Sequence, residues 1–401
     1  MKRPYYDNIA KLILKGFKKK VTQLHEPTFE NNDFYYLKKC LKQGIVSSTG
    51  NAIIRNRFED EISNYTKSKF ALATINGVSA LHACLKSLNV GKNHEVLVPS
   101  ITFVASVHSI LYAGAIPHFV DASEDDLGID PYKLDIYLTK ITKYKNGNYY
   151  NKKTGRMIKA LMPVHIFGNA CKIDKLIRIA KKFKLVTIED ATEALGTFFK
   201  NKHVGTFGDM GAISFNGNKI ITSGAGGMII SKNKRLQKKT KHLVSNAKIN
   251  HKWEYDHDEI GYNYRMANLN AALGYAQFRR FKKILAKKKK NFDFYNNIFK
   301  DQIDFSLLKP LKNTQSNHWL NSIILENKNI NKDYLIKILH KFNIIARPIW
   351  KPLHTLDHLK KYPRMPLETT NQIYKKVISL PSGPNILGNN VKFLTNQKIK
   401  F

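Results

Sequence analysis

From about residue 70 to residue 231, short runs of Val, Ile, Leu and Phe alternate with segments whose apolar residues recur every three or four positions. The runs Phe70–Thr74, Glu95–Pro99, Pro117–Asp121, Ala160–His165, Leu185–Glu189, Gly211–Phe215 and Gly227–Ser231 read as strands. Most are near-continuously apolar, as strands covered on both faces are. Between them Ser79–Leu88, Val104–Ala113 and Lys172–Phe183 carry helical periodicity. Strand–helix–strand repetition predicts an α/β fold, with a mostly parallel sheet flanked by helices and ligands bound beyond the carboxyl ends of the strands.

After residue 268 the pattern changes. A long helical stretch, Leu269–Tyr295, precedes an apolar run at Trp319–Leu325, a helix at Lys332–Lys341 and a Pro-punctuated tail. This mix predicts a smaller C-terminal α+β domain over 271–401, a large domain over 24–270 and a basic N-terminal arm over 1–23 lying on the surface. A chain of 401 residues is long enough for two cores.

Composition adds one unusual feature, a net charge of +37 from 67 Lys+Arg against 30 Asp+Glu. The lysines are spread along the chain in runs such as Lys18–Lys20, Lys238–Lys239 and Lys287–Lys290, amid abundant Asn. With no RRM, KH, helix-turn-helix or zinc signature, the charge reads as compositional bias and not as a nucleic-acid footprint. A positive field still favours anionic, phosphate-bearing small substrates. Cys40, Cys84 and Cys171 form no CxxC pair, which points to a reducing compartment and neither a metal site nor disulfides. The longest apolar run near the N-terminus, Leu12–Leu14, is too short for a signal sequence or membrane span, so the expected location is cytoplasmic.

Residues 185–231 carry the chemistry. The strand Leu185–Glu189 runs into Glu189-Asp190, and Ser214-Phe215 closes another strand. Lys219 follows in a turn rich in Gly and Asn, before the glycine run Gly224-Ala225-Gly226-Gly227. Lys219 alone would be a solvated surface lysine and Asp190 alone a helix N-cap. Delivered together to one sheet edge, they suit pyridoxal phosphate, which needs an amine for its aldehyde and an acid to keep its pyridine nitrogen protonated. At Asn76-Gly77-Val78-Ser79 a strand passes into a helix, where backbone N–H groups make either an anion site or an ordinary capped turn. The Ser214 hydroxyl is either a phosphate ligand or bonded to nearby backbone. Phe103 either lies flat on a cofactor ring or fills the core.

The blocks FEDEISNY, TINGVSALHACL, VPSITFVASVHSILYAGAIPHFVDA, PVHIFG, IEDATEALG, SFNGNK and HDEIGYNYRMANLNAALG resemble the DegT/DnrJ/StrS family of sugar aminotransferases. The likeness runs from Leu24-His25-Glu26-Pro27 to the Pro381 region and implies the pyridoxal-phosphate-dependent transferase fold type I. The blocks SSTGN, SFNGNKIIT, GYNYRM and RPIW most resemble the subgroup of bacillosamine and legionaminic-acid pathways, which transaminates UDP-linked 4-keto-6-deoxy-N-acetylglucosamine. A dTDP- or GDP-linked keto sugar is the alternative substrate within the same fold.

Position by position, the resemblance implies that Lys219 is the Schiff-base lysine, Asp190 the partner of the pyridine nitrogen and Phe103 the stacking ring. It assigns the phosphate to Gly77, Val78, Ser79 and Ser214. Asn263 would reach that phosphate from a neighbouring subunit, making the active unit a homodimer, and glutamate would be the amino donor. His165 stands either at the site's wall or as a satisfied buried histidine, and Arg265 is either structural or part of the substrate pocket. Two positions depart from the family pattern. Val78 stands where many members carry Thr. Glu193 stands where many carry Gln near the cofactor's phenolic oxygen, so its carboxyl should be protonated or hydrogen-bonded elsewhere. Lys219, where sugar dehydratases of the family have His, implies amino transfer.

Overall fold

Seven strands form the main sheet in the computed structural model, which describes residues 3–18, 23–48 and 52–388. They are β1 (Phe70–Thr74), β2 (His94–Pro99), β3 (Ile116–Val120), β4 (Met157–Leu161), β5 (Val186–Asp190), β6 (Met210–Ser214) and β7 (Gly227–Ser231). Their order is β1-β7-β6-β5-β4-β2-β3. Of these, β7 alone runs antiparallel to its neighbours. The helices Gly77–Ser87, Val104–Tyr112 and Ile173–Lys182 connect the strands, as the periodicity requires. Among the described residues no helix is long and apolar enough to cross a membrane.

Three elements differ from the sequence reading. β4 begins three residues before the expected Ala160 and leaves the ladder after Leu161, with Val164 rejoining only through a single bridge to Asp190. A hairpin of Thr142–Lys145 and Asn148–Asn151 extends the sheet beside β4. Its strands lack an apolar run, so only the Asn146-Gly147 turn, at φ 49° and 80°, signalled it. The expected helix Leu269–Tyr295 is two helices, Asn268–Arg279 and Phe281–Phe299, broken at Arg280 (φ −108°, ψ 11°). The Arg280 guanidinium is held there by Asp33 at 3.0 Å and Glu30 at 3.2 Å.

The helix Phe281–Phe299 gives Phe281 and Ile284 to the core beneath β6 and β7. Its far end gives Phe294, Tyr295, Ile298 and Phe299 to a second core. The two cores therefore share one helix and do not part at residue 270. The second core lies on an antiparallel sheet of Phe305–Leu307, Asn321–Leu325, Val377–Leu380 and Arg347–Pro348, with the helix Lys332–Lys341.

The segment expected to lie on the surface as an N-terminal arm is instead part of that core. The helix Arg3–Leu14 buries Tyr5, Tyr6, Ile9, Ala10, Leu12 and Ile13, one face at helical spacing, in the same cluster as Phe305, Leu335 and Ile338. The remainder of the arm at 1–2 and 19–22, the end of the SSTGN block at 49–51, and 389–401 lie outside the described residues. Ile9 is fully buried, so Ile9→Ala is expected to cost about 2–5 kcal/mol in urea unfolding. A negligible cost would show that this helix is not packed.

Candidate active site

Parallel pairing of β5 with β6 brings the carboxyl ends of both strands to one sheet edge. Side chains alternate along β5, so consecutive Glu189 and Asp190 leave it on opposite faces. Asp190 accepts hydrogen bonds from Ser106 Oγ at 2.7 Å and the Thr192 N–H at 3.1 Å. Lys219 comes from the turn after β6, with Nζ 3.2 Å from Glu193 Oε1 and 4.2 Å from the centre of the Trp319 ring. Lys219, Asp190, Phe103, Glu193, Ser214, Gly77 and Val78 all line one cavity of ≈ 890 Å³.

One end of this cavity is a cradle for an anion. The Asn76 side chain caps the helix Gly77–Ser87 by accepting the Ser79 N–H at 2.8 Å. That leaves the N–H groups of Gly77 and Val78, at the positive end of the helix, in the cavity wall. A Cβ on Gly77 would come within 3.1 Å of Ser214 Cβ and 3.2 Å of Thr192 Cγ2, so these three residues close tightly around the space. Gly227 has a related role: a Cβ there would sit 2.3 Å from the Asn76 carbonyl oxygen, and only glycine lets β7 pass the turn. The other end has aromatic walls, Phe167, Trp319 and Trp350, with Phe103 53% exposed. Backbone N–H groups and a hydroxyl at one end and aromatic walls at the other make a lining that fits a planar phosphorylated ring.

The Glu193 carboxylate is enclosed. It accepts from Lys219 Nζ and, at 2.9 Å, from the Phe167 N–H. Phe167 adopts left-handed backbone (φ 56°), a strained conformation for an aromatic residue. Asn317 ties the surrounding loops together, donating to the carbonyls of Glu193 and Leu195 and accepting from the Trp319 N–H, each at 2.8 Å. Burial pushes the Glu193 carboxyl above its ordinary range, against the pull of Lys219 and the Phe167 N–H, with Asp190 adding to the rise.

Three expected site residues stand outside the cavity, and a fourth, Asn263, is one expected to act in a neighbouring subunit. His165 is fully buried, bonded through Nε2 to Glu189 at 3.0 Å and accepting the Cys171 N–H at Nδ1, and it does not line the cavity. Arg265 is a structural ion pair with Glu59 at 2.8 Å. Ser79 lies behind the cavity wall, its N–H taken by the cap. Asn263 is exposed, apart from this chain's cavity. Conversely Thr192, Asn216, Asn218, Trp319, Arg347 and Trp350 line the cavity, although no local pattern marks them as site residues. Thr192 lies between Asp190 and Glu193, and RPIW contains Arg347 and Trp350, so both motifs were visible without their roles. Trp319 reads simply as a core strand residue.

The DegT/DnrJ/EryC1/StrS aminotransferase family matches residues 27–397. GDP-perosamine synthase of Vibrio cholerae is 37% identical over 93% of this chain and 97% of its own. The UDP-4-amino-4,6-dideoxy-N-acetyl-beta-L-altrosamine transaminase of Campylobacter jejuni subsp. jejuni serotype O:23/36 is 30% identical over 93% and 95%. Among solved structures, Helicobacter pylori PseC, an aminotransferase involved in the biosynthesis of pseudoaminic acid, superposes with a TM-score of 0.80 at 26% identity, over 92% of this chain and 94% of that one. The PLP form of Streptococcus pneumoniae Spr1654 gives a TM-score of 0.79 at 23% identity, over 89% and 92%. These neighbours have the type I fold of pyridoxal-phosphate enzymes.

The raised Glu193 carboxyl makes a prediction about stability. The folded chain retains a proton here that the unfolded chain releases. Its contribution is therefore full below the ordinary 4.5 and is lost as pH rises through the higher folded value. Relative to wild type, cofactor-free Glu193→Gln should gain melting temperature progressively as pH rises above 4.5. A pH-independent difference would refute this.

Proposed function

Because the chain belongs to the DegT/DnrJ/EryC1/StrS aminotransferase family, we propose that it transfers the amino group of glutamate to C4 of UDP-4-keto-6-deoxy-N-acetylglucosamine. It is a pyridoxal-phosphate-dependent aminotransferase acting on nucleotide-linked keto sugars; the particular sugar, nucleotide and donor are the proposed part. The observation that carries the reading is the convergence of Lys219, Asp190 and the Gly77–Ser214 cradle on one cavity.

In this reading Gly77, Val78 and Ser214 hold the cofactor's phosphate, Phe103 covers one face of its ring and Asp190 keeps a proton on its pyridine nitrogen. When bound, the cofactor supplies an aldehyde and an electron sink. The chain supplies orientation and proton transfer. Ser106 and the Thr192 N–H fix the Asp190 carboxylate, so it meets the ring nitrogen without reorganisation. The Lys219 amine, largely withdrawn from water, is placed to take a proton from the α-carbon of the amino donor and later deliver one to sugar C4. Glu193 Oε1 orients that amine, and the aromatic walls exclude water from the reacting carbons.

The UDP-linked sugar is supported by the SSTGN, SFNGNKIIT, GYNYRM and RPIW blocks and by the similarity to the Campylobacter UDP-sugar transaminase. A GDP-linked 4-keto sugar is the second reading, favoured by the higher identity to GDP-perosamine synthase. A homodimer with shared sites is also proposed. Its support is the exposure of Asn263 beside the hairpin of Lys248–Ile249 and Asp256–His257, where Trp253, Tyr255 and Ile260 are 72%, 82% and 84% exposed.

Lys219→Ala should lose the visible absorbance band of bound cofactor and all turnover; retention of wild-type exchange between glutamate and 2-oxoglutarate would overturn the mechanism. Incubation with glutamate and a panel of UDP-, GDP- and dTDP-4-keto sugars, read by mass spectrometry, should show the 4-amino product first with UDP. Faster conversion of the GDP sugar would select the second reading. Trp253→Ser combined with Ile260→Ser should shift sedimentation from dimer to monomer, and an unchanged dimer would place the interface elsewhere.

A further inference from the structure

His25 stands out among the buried histidines. It is 2% exposed, lines the cavity that holds Lys219, and has no hydrogen-bond partner at either ring nitrogen among the described residues. His118, by contrast, bonds Glu95 and Tyr137, and His165 bonds Glu189 and the Cys171 N–H. His203 bonds the Val204 carbonyl and the Gly196 N–H. A buried polar group left unpaired costs about 1–3 kcal/mol.

The backbone beside His25 is pinned, the Leu24 carbonyl accepting from the Ser382 N–H at 2.6 Å. The nearby ammonium of Lys288, also fully buried, is committed to the carbonyls of Trp319 and Ser382. Burial, reinforced by the positive charges of Lys288 and Lys219, holds the His25 pKa well below its ordinary value. The ring is therefore neutral, with one donor nitrogen and one acceptor nitrogen.

We propose that His25 is a substrate-recognition residue whose ring nitrogens are reserved for hydroxyls of the keto-sugar ring seated against Lys219. A hydroxyl both donates and accepts, as a neutral imidazole does. The carboxylates of an amino donor call instead for a cation, and Arg347, in the same cavity wall, provides one. The inference rests on the sugar-aminotransferase reading above and adds a residue that distinguishes its two half-reactions.

His25→Phe tests it by keeping a ring of similar shape without its nitrogens. Phe does not carry the desolvation cost of buried, unpaired nitrogens, so the melting temperature of the holoprotein should be unchanged or raised. The cofactor absorbance should be retained, and the glutamate half-reaction, followed by bleaching of the visible band in a single turnover, should stay within about twofold of wild type. kcat/KM for the keto-sugar nucleotide should fall at least about tenfold, the scale of one lost net hydrogen bond. His25→Gln, which retains a donor and an acceptor, should recover part of the loss.

An undiminished kcat/KM for the sugar in His25→Phe would overturn the proposal, as would equal losses in both half-reactions. If His25→Phe does not fold, His25→Gln decides by the same comparison: a loss confined to the sugar half-reaction supports the role, and an equal loss in both refutes it. Failure of the underlying function is distinguishable, because wild-type protein would then turn over no keto sugar in the panel.

Discussion

The parallel ladder between β5 and β6 is the constraint on which the site depends. Ile188, Glu189 and Asp190 pair with Met210, Gly211 and Ala212. The antiparallel return of β7 then sets Gly227 opposite both Ser214 and Thr74. A slip of one residue in β5 would send Asp190 away from the cavity and turn Glu189 into it. Glu189 guards against that slip. Its carboxylate is saturated by His165 and by the N–H groups of Gly205, Phe207 and Gly208 on the far side of the sheet. His165, expected near the chemistry, thus serves it at one remove by holding the strand's register.

The buried polar groups around the cavity differ in how they are satisfied. Asp190 is oriented by a serine hydroxyl and a backbone N–H. Glu193 faces an amine and an N–H from a residue in strained backbone. His25 has no hydrogen-bond partner among the described residues. A core selected for stability alone would leave neither the strained Phe167 nor the unpaired imidazole. Both lie in the wall of one cavity, where a ligand can offset what the protein alone does not.

The second core completes this wall. Trp319, Arg347 and Trp350 come from the region after residue 300, and the His25 segment is pinned to Ser382. The two cores are joined through the helix Phe281–Phe299 and through Asn317, which bonds the loop after β5 to the entry of a strand in the smaller sheet. The cavity is therefore a product of how the two halves of the chain meet, and each half supplies groups that the other could not replace.

Much of this was legible in the residues themselves. The seven strands of the main sheet follow from apolar runs, because a strand buried on both faces has no reason to alternate. Asp190, Lys219 and the Asn76-Gly77 turn emerge from their positions at strand ends, and the glycine run ending at Gly227 announces a close backbone approach. Local signals failed where partners are distant in sequence. Nothing near His165 shows that Glu189 completes it, and nothing near Arg265 shows that Glu59 neutralises it. Tyr5, Tyr6, Ile9 and Ile13 present a helical face, but only the second core shows what covers it. Sequence alone determined the strands of the main sheet and which side chains stand at its edge, since both are written in periodicity and short motifs. Only the tertiary structure decided which polar side chains are already paired and which remain available, because pairing depends on separations in space that no spacing along the chain records.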